Sequence, residues 1–307
     1  MIGETILHYK IMKKLGEGGM GVVYLAEDTK LKRQVAIKFL PRHISVNEEE
    51  RKRFEIEAQA SASLNHPNIA TIYSIEEYDN QMFIVMEYIE GRSLEDIVKL
   101  HHNASLPLDD IVNYAIQIAE GLKTAHNKGV IHRDIKSSNI LVTNDGNVKI
   151  MDFGLAKLTG QEKITKANTA VGTVAYMSPE QAQGKEVTYK TDIWSLGVVL
   201  YEMLTGQLPF KGDYEQAILY LILNENPESI STLRARVPGE LEKIINKTLV
   251  KDPEKRFDSM TALLDELYAL NPQFKAKKKL KTILRKPKFL IPVSILLIVL
   301  VTAVILL

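Results

Sequence analysis

Residues 132–139 read HRDIKSSN, and residues 152–154 read DFG. Asp134, Asn139 and Asp152 supply the hard oxygen ligands that a cation such as Mg²⁺ takes. Asp134 is also placed to accept a proton from a hydroxyl nucleophile. Taken singly, each is unremarkable, since an aspartate in a loop is most often a cap or turn residue. The order is informative: a glycine loop, VAIK, HRDIKSSN, DFG, then SPE at 178–180.

Towards the N-terminus, residues 15–24 read LGEGGMGVVY, with Gly16, Gly18 and Gly21 in a G-x-G-x-x-G spacing. Glycines let backbone N–H groups approach phosphates closely, although such clusters are more often plain turns. The same spacing marks dinucleotide folds, which place a helix directly after the glycines. Here another strand-like run, VVYLAED, follows, which favours a β-hairpin lying over phosphates. Fourteen residues past Gly21 comes VAIK, closing on Lys38. A lysine at a strand end is usually just solvated; behind a glycine hairpin, its ammonium can neutralise phosphate oxygens as a point charge. It needs a carboxylate to hold it, and Glu57 is the first candidate, with Glu55 second.

The strand signals VVYLAE, QVAIKFL and MFIVMEYI make residues 9–90 strand-rich, interrupted by a helix over Asn47–Leu64. From Ser93 to Leu270 the pattern is helical. IVNYAIQIAEGLKTAHNKG has apolar residues at three-to-four spacing and a glycine past its last turn. Thr191 to Leu204 is apolar nearly all round and reads as a buried central helix.

The chain has 307 residues, no cysteine and a formal net charge of +1. Zero cysteine excludes a disulfide scaffold, a thiolate metal site and a cysteine nucleophile. The net charge hides a split. Residues 273–307 carry eight Lys/Arg and no Asp/Glu, which leaves 31 basic against 38 acidic groups over 1–272, a net of −7. A nucleic-acid partner is disfavoured, because phosphate affinity needs a basic face on the folded part. Residues 289–307, FLIPVSILLIVLVTAVILL, carry no charge. As a helix they would reach about 28 Å, close to the hydrocarbon thickness of a bilayer. A buried core helix fits less well, since nothing follows in the sequence to bury it. Seven lysines and Arg285 within 275–288 precede the run, so the positive-inside rule places residues 1–288 in the cytoplasm. They equally suit anionic lipid headgroups or a plain solvated linker. The N-terminus lacks an apolar h-region, so no secretory signal is expected. The expectation is a single-pass membrane protein, either tail-anchored or a piece of a longer chain.

These motifs together resemble the Hanks-type serine/threonine protein kinases over about residues 9–270, and the signature is this family's own. GEGGMGVVYLAED, SPEQA and the basic–apolar tail resemble the bacterial membrane-anchored members, which places the span in a bacterial cell membrane. The resemblance implies an α+β, two-lobed protein kinase fold: a β-rich N-lobe (about 9–90) and a helical C-lobe (about 91–270). A basic linker (271–288) and one transmembrane helix (289–307) would follow.

ATP would lie between the lobes. Leu15, Gly16, Glu17, Gly18, Gly19 and Gly21 would cover the phosphates. Val23 and Ala36 would sandwich adenine from above, and Leu141 from below. Met86 would be the gatekeeper, with the Glu87 carbonyl and Ile89 amide pairing to adenine. Lys38 would hold phosphates and pair with Glu57. Asp134 would be the catalytic base, with Lys136 beside the γ-phosphate. Asn139 and Asp152 would bind Mg²⁺. Asp192 would brace the catalytic loop, and Arg256 would pair with Glu180. Lys136 and Thr173 match the serine/threonine branch.

One position departs from the family. Four residues past Glu57 the family usually has an apolar residue that packs toward the DFG Phe. Ser61 stands there, which predicts a thin contact with Phe153 and a loosely held helix.

The reading is therefore an active protein kinase acting on Ser/Thr hydroxyls of protein substrates, weighed against a pseudokinase scaffold and a small-molecule phosphotransferase. Every catalytic position holds the expected residue, and the stretch from DFG to SPE suits a polypeptide. Arg133 before Asp134 points to a loop phosphosite, with Thr169 first and Thr165 second, reached in trans by self-association of anchored copies.

Overall fold

A computed structural model of the chain describes residues 1–18, 21–42, 47–101, 106–153 and 174–271. The basic linker from 272 onward, the apolar run 289–307, Gly19, Thr165, Thr169 and Thr173 lie outside the described residues.

Six strands form an antiparallel sheet: β1 (Thr5–Ile6), β2 (Tyr9–Gly18), β3 (Gly21–Asp28), β4 (Arg33–Phe39), β5 (Ile72–Tyr78) and β6 (Gln81–Glu87), in the order β1-β2-β3-β4-β6-β5. The period-two pattern of β4 decides the sheet's two faces. Val35, Ile37 and Phe39 join Tyr9, Ile11, Ala26, Phe83 and Val85 in one apolar cluster. Ala36 joins Leu40, Met82, Ile84 and Met86 on the opposite side, against Phe54 and Ala58. Those two belong to helix α1 (Glu48–Ala62), capped by Asn47, whose side chain accepts from the Glu49 and Glu50 N–H groups. Lys38 shares the strand face of Ala36, so the sheet aims its ammonium under α1 and not into solvent.

The second lobe begins with a three-stranded sheet, β7 (Gly91–Ser93), β8 (Ile140–Thr143) and β9 (Val148–Ile150). Helices follow one another around it: α2 (Leu94–Leu100), α3 (Leu108–His126), α4 (Pro179–Ala182), α5 (Tyr189–Thr205), α6 (Glu215–Asn224), α7 (Ile230–Leu233), α8 (Gly239–Thr248) and α9 (Met260–Leu270). Every residue of α5 from Lys190 to Leu204 is buried, as its all-round apolar sequence predicts. It ends at Gly206 in a left-handed cap, φ +71°. Helix α3 packs on both α5 and α9.

The expectation of helix throughout 93–270 is corrected by β8 and β9. These strands run to only four and three residues, too short to show alternation. Their hairpin holds the loops on either side, which carry Asp134 and Asp152.

Candidate active site

The glycine hairpin forms as the sequence predicts, with Gly16 paired to Val23 and Gly18 to Gly21. Gly21 has φ +113°, and a Cβ there would lie 1.9 Å from the Phe39 carbonyl oxygen, so only glycine fits. At Gly16 and Gly18 a Cβ would meet nothing within 4 Å. Leu15 and Glu17 are exposed on the same strand, with Glu17 paired to Lys14.

Below the hairpin, Val23 packs with Ala36 and Met86 in one cluster. Leu141 is half-buried on β8, and Ile89 is buried at the connection between the lobes. The Glu87 side chain takes the Lys149 ammonium at 2.7 Å and the Thr71 N–H at 3.1 Å. This staple of the connection to β9 was not foreseen in the sequence.

Lys38 is buried, and its Nζ donates to Asp152 Oδ2 at 2.8 Å. Burial works against charge on Asp152, yet the charge and hydrogen bond of Lys38, aided by His132 and Lys136, hold its carboxyl below the usual range. Asp152 stays ionised, as a cation ligand must. The expected Lys38–Glu57 pair is corrected here. Glu57 Oε1 lies 3.7 Å from Arg133 Nη1, while Asp152 takes the lysine. Glu55, the second candidate, pairs along the helix with Arg51 at 3.2 Å.

Asp134 is buried and collects two polar side chains. Lys136 Nζ donates to Oδ2 at 2.8 Å. Asn139 Nδ2 donates to the same oxygen at 3.0 Å and to the Asp134 carbonyl at 2.8 Å. Asn139 thus spends its N–H donors on Asp134, leaving its amide oxygen as the ligand atom. One amide oxygen and one ionised carboxylate make a donor set that fits Mg²⁺, which usually takes one or two protein ligands plus phosphate and water. Among the described residues no group of three or more acidic or histidine side chains forms a closed metal cage.

The loop's backbone is fixed from below by Asp192, fully buried on α5. Its carboxylate accepts the N–H groups of His132 and Arg133, each at 2.9 Å, and a bond from His126 Nε2 at 2.8 Å. Burial opposes its charge, but the His126 bond and the donors around it keep the carboxyl below its ordinary range. Arg133 sits at φ +69°, a left-handed conformation that needs such anchors. Gln181 on α4 adds another, donating Nε2 to the Arg133 carbonyl at 2.8 Å. Arg256 grips Glu180 with two 2.8 Å bonds, as expected.

This convergence on two loops is the arrangement of one family, and the family model for the protein kinase domain matches residues 9–269. The chain belongs to the protein kinase domain family. The kinase domain is 40% identical over 268 residues to a probable serine/threonine-protein kinase of Clostridium perfringens, covering 87% of this chain and 39% of that protein. It is 42% identical over 260 residues to the serine/threonine-protein kinase PrkC of Bacillus subtilis, covering 84% and 40%. The chain thus spans about two fifths of the length of these curated relatives. The crystal structure of the Mycobacterium tuberculosis PknI kinase domain shares the two-lobed fold, with a TM-score of 0.70 at 24% identity, over 88% of this chain and 98% of that one.

Two sets of polar contacts in the kinase domain escaped the sequence reading. Ser61 Oγ lies 2.9 Å from both the Glu57 and Phe153 carbonyl oxygens, so the predicted thin contact is a polar one. Ser137, Tyr176 and Glu202 form a buried hydroxyl–carboxylate network, with Tyr176 donating to Glu202 at 2.7 Å. Burial raises both the Tyr176 hydroxyl and the Glu202 carboxyl. The second serine of KSSN is a loop residue like the first, so nothing in the sequence separates Ser137 from Ser138; only its place over α5 does.

Proposed function

We propose that this kinase domain transfers the γ-phosphate of ATP to serine or threonine hydroxyls of protein substrates. One observation carries the reading: Lys136 and Asn139 converge on Asp134 while Lys38 converges on Asp152, on the two loops that flank β8 and β9. Phosphoryl transfer needs positioning and charge neutralisation more than covalent chemistry. The Asp134 carboxylate, whose Oδ2 already takes the Lys136 and Asn139 donors, accepts the proton of the incoming hydroxyl. Lys136, 2.8 Å from Asp134 Oδ2, offers its ammonium to the phosphate passing beside it. Lys38 holds phosphate oxygens, and the open hairpin over Gly16 and Gly18 covers them. Asn139 and Asp152 would hold Mg²⁺, which supplies charge neutralisation on the phosphates when bound. Val23, Ala36 and Leu141 would enclose the base, with Met86, Glu87 and Ile89 along its edge.

In protein kinases the strand lysine and helix glutamate pair for transfer. Here Glu57 is on Arg133, so the arrangement precedes that pairing, and Glu57 must leave Arg133 to reach Lys38. A phosphate on Thr169 or Thr165 supplies about −1.5 to −2 charges to compete for Arg133. Self-association of copies held at a bacterial cell membrane by residues 289–307, with the basic linker on anionic lipid, would deliver it in trans. Radiolabelled phosphate transfer from ATP to a generic protein substrate, wild type against Asp134→Asn, tests the activity. A variant as active as wild type overturns the reading. Mass spectrometry of the same samples reads the threonines.

A further inference from the structure

Asp152 adopts φ +56°, a left-handed conformation that a non-glycine residue keeps only when its neighbours are held. The residue before it is held twice within the C-lobe. Met151 donates its N–H to the Asn139 carbonyl at 2.8 Å, and its own carbonyl lies 2.8 Å from His132 Nε2. The residue after it is held from both sides. The Phe153 ring meets His132 edge-on, with centroids 4.6 Å apart. The Phe153 carbonyl lies 2.9 Å from Ser61 Oγ. Two N-lobe groups reach this segment: Lys38 holds the Asp152 side chain, and Ser61, on α1 one helical turn from Glu57, holds the backbone after it. Ser61 is 4% exposed, and its hydroxyl is shared between the Phe153 carbonyl and its own helix at the Glu57 carbonyl. An ordinary buried helical serine needs only the second of these bonds.

We propose that Ser61 is a positioning residue for Asp152: its hydroxyl ties the Phe153 carbonyl to α1 and so fixes the Asp152 carboxylate in the orientation that receives the metal ion. The proposal rests on the reading of Asp152 as a Mg²⁺ ligand. A leucine at this position would fill space beside Phe153 but could not hold a carbonyl, so packing and hydrogen bonding predict different variants. Without the hydroxyl, Asp152 samples other orientations, and metal-dependent binding weakens while the rest of the cleft is untouched.

The experiment is calorimetric titration of the full chain with ADP, in Mg²⁺ and separately in EDTA. Ser61→Ala should weaken Mg²⁺–ADP binding roughly 3- to 10-fold, the size of one ordinary hydrogen bond, and leave metal-free ADP binding as in wild type. Ser61→Thr should restore the wild-type value; its isostere Ser61→Val and the family-like Ser61→Leu should not. The Thr/Val comparison keeps the test decisive even where the alanine variant folds poorly. In the metal-free protein, amide exchange across Met151–Phe153 should quicken in Val and not in Thr. Equal Mg²⁺–ADP affinity of Thr and Val, or equal loss in Mg²⁺ and EDTA, overturns the role of Ser61. Asp152→Asn is the control. If it leaves Mg²⁺–ADP binding unchanged, the reading of Asp152 itself falls and takes Ser61 with it. If it abolishes the metal effect while Ser61→Val does not, only Ser61 falls.

Discussion

Lys38 and Glu180 show how differently two buried ion pairs are used. Lys38 meets Asp152 beside the cleft at 2.8 Å, and under the proposed function its charge serves the phosphates and not the core. Lys38→Met keeps the length of the stem, so the fold should survive, while transfer falls by roughly 100- to 1000-fold, the cost of removing one preorganised charge. Glu57→Gln should cost less, since Glu57 lies by Arg133 and makes no pair with Lys38 in this arrangement. Phosphate-transfer rates beside thermal melts check both, and a folded Lys38→Met protein with substantial turnover refutes the role. Glu180 belongs to the framework. Burial opposes its charge, but the two bonds and the charge of Arg256 hold its carboxyl below the ordinary range. A depressed carboxyl stabilises fully above the unfolded value of about 4.3 and loses that contribution as pH falls through the folded value. Breaking the pair with Glu180→Gln should cost about 3–5 kcal/mol at pH 7, because Arg256 is left buried and uncompensated. Urea unfolding from pH 7 to 3 should show the gap between variant and wild type closing below about pH 4.3. A constant gap over that range would mean that charge is not its source.

Among the elements, α5 is the one on which the second lobe is built, and its approach to α8 is set by one atom's absence. A Cβ on Gly197 would lie 2.0 Å from Thr248 Oγ1 and 2.7 Å from Thr248 Cβ. Gly197→Ala should therefore push the helices apart and cost about 1–3 kcal/mol, as overpacking does. Thr248→Ala removes the hydroxyl but not its Cβ, so the double variant should recover part of the loss. Full additivity of the two substitutions in urea unfolding would show that they do not meet. The burial of α5 was legible because apolar residues run nearly all round it from Thr191 to Leu204, with only Thr191, Asp192, Ser195 and Glu202 strongly polar. The three-residue β9 was not, because strands that short carry no period. The hairpin was legible from glycine followed by strand residues. The tie from α1 to Phe153 was not, since a serine reads as a weak spot until its hydroxyl is seen to have a partner 92 residues away.

At the scale of the whole molecule, the ordered motifs told the two lobes, because each polar group of the site sits in a run long enough to recognise. Pairing was less legible. Lys38, Glu57, Arg133 and Asp152 are two cations and two anions close together, and which cation meets which anion is set by the placement of α1, a tertiary fact. The charge split is also a property of the whole chain: residues 1–272 carry a net of −7 and the remaining stretch eight positive charges followed by nineteen uncharged residues. Among the described residues no helix is long and apolar enough to cross a membrane; the proposed anchor is the apolar run 289–307. A nineteen-residue apolar helix spans about 28 Å, and the basic residues before it favour holding the kinase domain on the cytoplasmic side. The expected outcome is that residues 1–272 stay in the supernatant after high-speed centrifugation and retain phosphate transfer. The full chain should pellet with membranes and resist extraction by carbonate but not by detergent. Replacing the eight Lys/Arg of 275–288 with Gln should leave the pelleting intact and loosen the orientation, read by protease access to the kinase domain in sealed vesicles. Release of the full chain by high salt alone would show that the lysines hold it to lipid headgroups from the surface, and that the apolar run does not cross.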